Sequence, residues 1–128
     1  METNHLTNKE ILLIVIEPWD FSDNISEEGL KAKILSIKEN VEKQNILIKL
    51  ANPIKYKNTI CEFFVGSIRW QDASFERLAN GEQIDCNFIL TNKDKVNSSN
   101  PFDISWWRGG ISLIASISIV GLSISETQ

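Results

Sequence analysis

Histidine occurs once, at His5, inside a polar stretch at the start of the chain. That removes Ser-His-Asp and Cys-His catalysis, because both need an imidazole beside the nucleophile. Cysteine occurs twice, at Cys61 and Cys86. Two thiols and one distant histidine lack the spacing of a zinc ligand set. Two thiols are also too few for a disulfide framework. Both fall in stretches that read as strands, so they are expected as buried free thiols in a reducing compartment. A bridge between neighbouring strands is the alternative.

Other absences narrow the field further. No glycine-rich phosphate cradle is present, and Gly109-Gly110 before a strand reads as a turn or bulge. Acidic pairs such as Glu17 with Asp20, or Asp72 with Glu76, are what any acidic chain offers by chance, so no catalytic pair is assigned. The acidic stretch lacks the Asp-x-Asp-x-Asp-Gly order of a calcium loop. No metal and no cofactor are therefore implied. The apolar run 11–16 is too short for a signal core and ends at Glu17-Pro18. The run 111–124 is broken by Ser112, Ser116, Ser118 and Ser123 and cannot span a bilayer. These readings lead to a cytoplasmic chain that is no enzyme.

What is present reads as strand. The chain of 128 residues is long enough for one domain with its own core. Residues 82–91 alternate, with Ile89 the one exception: Ile84, Cys86, Phe88 and Leu90 share one face, and Gln83, Asp85, Asn87 and Thr91 the other. Residues 59–70 are apolar on both faces, which predicts a central strand covered on both sides. Gly66 within it suggests a bulge or bend. Between the two, Asp72 or Ser74 can cap a short helix that Asn80-Gly81 stops, with Phe75 and Leu78 facing inward.

Elsewhere, residues 10–16 read as a buried strand. Residues 30–38 form a strand with a bulge at Ile34-Leu35, and 45–51 a strand broken at Asn52-Pro53. Residues 111–120 form a last strand, with Ser112, Ser116 and Ser118 on one face. Residues 1–9 read as a flexible tail, and 92–105 as a long surface loop. The prediction is a single β-rich domain over 1–128, an antiparallel meander closing into a small barrel or strongly curled sheet with one short helix. From residue 30 onward the order of three strands, a helix and two strands resembles the oligonucleotide-binding barrel in layout.

Charge carries the functional expectation. From Glu10 to Glu28 there are six acids (Glu10, Glu17, Asp20, Asp23, Glu27, Glu28) and no base. From Gly29 to Thr59 there are seven lysines against Glu39 and Glu42. The acidic block holds Trp19 and Phe21, and aromatic anchors amid charge are what docking surfaces use. Trp106-Trp107-Arg108 is the other local oddity: in an extended segment only one tryptophan can enter a given core. A solvated face remains the bland reading of each block.

The expected function is binding of a basic protein partner, such as a toxin domain, without catalysis. In size, charge and lack of motifs the chain resembles bacterial immunity proteins that neutralise a basic nuclease. The expected contact residues are Glu17, Trp19, Asp20, Asp23, Glu27, Glu28, Trp106, Trp107 and Arg108. The alternatives are a single-stranded nucleic-acid binder, against which the net charge of −4 counts, and a barrel holding a small ligand behind its serine face. Monomer and homodimer both stay open.

Overall fold

In a computed structural model, the chain describes residues 6–17, 29–39, 44–56, 58–68, 74–97 and 112–120. Six strands form one closed antiparallel barrel: β1 (Glu10–Glu17), β2 (Leu30–Glu39), β3 (Gln44–Tyr56), β4 (Thr59–Ile68), β5 (Ile84–Thr91) and β6 (Ser112–Ile119). Each strand pairs with the next in sequence, and β6 returns to pair with β1. This is an up-and-down meander. The resemblance to the oligonucleotide-binding barrel ends at element order, since that fold is a five-stranded Greek key.

The interior is built in rows that run across strands. Leu50, Ala32, Ile11 and Ile119 are successive partners, as are Leu30, Leu13, Ile117 and Ile84. A third row runs Ile34, Ile48, Phe64 and Leu90. Eight strands make a barrel just wide enough for side chains to fill, so six leave room for nothing else. The rows accordingly form one buried cluster.

Gly66 belongs to a fourth row, between Ile46 and Phe88. Pairing on both sides of it is in unbroken register, so the bulge expected there is absent. Its reason is space. A Cβ at Gly66 would sit 2.4 Å from Phe88 Cε1 and 3.1 Å from Ile46 Cγ2. The Phe88 ring lies where that Cβ would be.

The bulge on β2 falls where the pattern put it, with register shifting between Ile34 and Ser36. Asn52-Pro53 does not break β3. The register to β4 shifts between Lys49 and Ile54, and Ala51, Asn52 and Pro53 are exposed there. A proline at a bulge interrupts no ladder bond, which is why the strand continues. β1 is not buried on both faces: Ile14 and Ile16 are 36% and 45% exposed. A closed barrel has one inner face, so half the side chains of every strand face out. On β4 the two-faced reading holds in the middle, where Phe64 and Val65 are both buried, but Ile60 is 62% exposed.

Both ends are covered. At one end Leu6 is buried, and its turn is tied to β2 by Asn8 N–H donating to the Ile34 carbonyl at 2.7 Å. Residues 6–9 are thus part of the fold and not of a tail; a single leucine in polar surroundings gave no pattern to read. Helix α1 (Phe75–Ala79) adds Phe75 and Leu78 to the same core. Ser74 caps it by accepting from Arg77 N–H, and Gly81 follows at φ 96°, so the predicted start and stop hold. At the other end the β3–β4 hairpin contributes Cys61 to the core, with Ile54 packed against it. The expected loop over 92–105 begins with one helical turn, α2 (Lys93–Val96).

Gly66→Ala is expected to cost about 1–3 kcal/mol through overpacking, measured as a lower urea midpoint. Adding Phe88→Leu should recover part of that loss. A Gly66→Ala variant as stable as the parent would contradict the ring contact.

Candidate functional site

Most of the expected contact set lies outside the described residues: Trp19, Asp20, Asp23, Glu27, Glu28, Trp106, Trp107 and Arg108. Glu17 is the exception, and only through its backbone, which closes β1. The pairing there has a consequence for the two connections. Glu17 is the register partner of Ile114 across a bulge. The acidic connection therefore leaves β1 beside the point where the Trp-Trp-Arg connection enters β6. The first of them returns at Gly29, which opens β2 with φ 95°. There a Cβ would meet the Leu13 carbonyl at 2.7 Å, so the tight approach to β1 needs glycine.

The two thiols are buried and unbridged. Cys61 donates to the Thr59 carbonyl at 3.7 Å. Burial, with help from the Asp85 charge, pushes the Cys86 thiol up to about 12. Both side chains act as small core groups rather than nucleophiles, whose activation runs the other way. Among the described residues there is no cluster of His, Cys, Asp or Glu fit to hold a metal ion. No described helix is long and apolar enough to cross a membrane.

The serines of β6 are a correction to the lumen reading. The inward residues of that strand are Leu113, Ala115, Ile117 and Ile119. Ser112, Ser116 and Ser118 alternate with them and are half-buried on the outer face, so they line no cavity.

Exposed lysines gather on β2 and β3, where Lys55 is exposed as well as the four that follow. Lys31, Lys33, Lys38 and Lys49 are all exposed. Lys33 stands directly opposite Lys49 in the ladder, with Glu10 on its other side. Lys49 lies 3.7 Å from Glu62 and 5.9 Å from the centre of the Phe63 ring. Alternation places Lys31 and Lys33 on the wet face, but the Lys33–Lys49 pair could not be read from sequence. It depends on where the β2 bulge sets the register. The other described ion pair, Arg77 with Glu82 at 2.7 Å, ties α1 to the turn that leads into β5 and holds the Glu82 carboxyl below its usual range through that hydrogen bond.

These features define a closed, filled, up-and-down barrel whose describable chemistry is on its outside. No family model, no curated protein and no solved structure matches the chain.

Neither thiol is expected to react with a thiol reagent at pH 8 until the chain unfolds. The Cys86 proton is held to about 12 in the folded state, against an ordinary 9.0. Its contribution to stability is complete below pH 9 and is lost as the pH rises towards 12. Reaction of the native protein at the rate of a free thiol would contradict this burial.

Proposed function

We propose that this chain is a protein-binding domain without catalytic activity, of the kind that bacterial immunity proteins represent. It would hold a basic partner, such as a nuclease toxin domain, in the cytoplasm. Blocking would be electrostatic and steric. Glu17, Asp20, Asp23, Glu27 and Glu28 would stand in for phosphate charge against the partner's lysines and arginines. Trp19 would be the apolar anchor, joined by Trp106, Trp107 and Arg108.

The observation that carries this reading is the pairing of Glu17 with Ile114. It roots the acid-rich connection and the Trp-Trp-Arg connection on neighbouring strands at one end of the barrel. A cluster of negative charge beside aromatic residues is the composition that speeds encounter with a cationic surface and then anchors it. Two unbridged cysteines are in keeping with a reducing compartment.

The test is co-purification with the product of the neighbouring gene, followed by association kinetics of the parent and of Asp20→Lys/Asp23→Lys/Glu27→Lys. The variant is expected to associate at least about tenfold more slowly, and its rate should lose most of its salt dependence. An unchanged rate and salt dependence would sink the acidic-rim reading.

A further inference from the structure

We infer that the outer face of β2 and β3 is a docking surface for single-stranded nucleic acid, held through its phosphates. Lys31, Lys33 and Lys38 follow one another along the outside of β2, and Lys49 stands beside them on β3. Positions two apart on a strand are about 7 Å apart, and neighbouring strands about 5 Å. Lys31, Lys33 and Lys49 therefore form the dense part of a stripe, which Lys38, five positions beyond Lys33 on β2, extends by roughly 16 Å.

Two facts give the stripe a purpose beyond solvation. Lys33 and Lys49 are direct cross-strand partners, and like charges in that position destabilise a sheet. The carboxylates described as facing the stripe are Glu10, opposite Lys33, and Glu62, bridged to Lys49. Four cations against two carboxylates leave the stripe positive.

The whole-chain charge of −4 does not decide the matter. Fields are screened over about 8 Å at physiological salt, so a polyanion responds to the charges under it. The barrel is closed, so no free strand edge is offered to an acidic peptide for backbone pairing. What it offers instead is side-chain charge, with the half-buried Phe63 ring next to Lys49. Cations along a track with an aromatic beside them are the elements of sequence-tolerant single-strand binding. This surface uses residues distinct from the acidic rim and does not rest on that reading.

The experiment is fluorescence polarisation of a labelled twenty-nucleotide oligothymidylate against the full chain across a salt series. Binding in the micromolar range at about 50 mM salt is expected, with log affinity falling against log salt at a slope near −3, about 0.7 per lysine. Lys33→Gln/Lys49→Gln should reduce that slope by about 1.4. Lys33→Arg/Lys49→Arg should keep it, as should Arg77→Gln on α1. Absence of binding at about 100 µM protein, the upper end of the usual non-specific range, would overturn the assignment. So would a slope indifferent to the double glutamine change, or equal displacement by poly-glutamate, which would mark a site for acidic polypeptides instead. Matching thermal melts for the variants exclude misfolding as the cause.

Discussion

The pairing of β6 with β1 is the interaction on which the rest of the molecule depends. Five hairpin-like neighbours alone would make a sheet with two open edges and two faces to cover. Joining first strand to last removes both edges and turns one face wholly inward. The barrel so formed is narrow, and the register of that pair must agree with the five others for one set of faces to point in. Ile11 meets Ile119 and Leu13 meets Ile117. A slip of one residue would put Ser116 and Ser118 inside and the isoleucines out.

Closure also explains the interior's fine structure. Large side chains from six directions cannot all occupy one small cylinder, and two of the four rows contain a small member. Ala32 sits between Ile11 and Leu50, and Gly66 between Ile46 and Phe88. Leu6 and α1 fill one end, and the β3–β4 hairpin folds Cys61 against the other. The described interior is filled by its own side chains. The barrel's chemistry toward other molecules is that of its outer faces and of the loops at its ends, and these differ in sign. Lysines follow the outside of β2 and β3, while acids crowd the connection that leaves β1.

Much of this was legible from residue pattern. Alternation in β5 and β6 gave both strands and their inward faces, and the slipped pattern at Ile34-Leu35 gave the bulge. The helix could be placed because Ser74 and Gly81 carry local signals for its two ends. What failed were inferences about context. Gly66 read as a bulge or bend, and the bulge is absent, because a missing side chain looks the same whether the ladder is interrupted or a neighbour's ring needs the space. Pro53 read as a break because the unpaired stretch that tolerates it belongs to pairing with another strand. β1 read as buried because its β-branched run shows no alternation, although only Ile11 and Leu13 are buried fully. Leu6 carried no periodic signal at all. At the candidate surface, individual lysines were visible, but the opposition of Lys33 and Lys49 needed a register that no local pattern encodes.

The most direct test of closure is amide hydrogen exchange across the six strands. The alternating amides of β1 and β6 that point at each other should be protected as strongly as those of β3 and β4, because each has a partner on both sides. Exchange of those β1 and β6 amides at the rate of free edges, with β3 and β4 still protected, would mean an open sheet and would contradict the barrel.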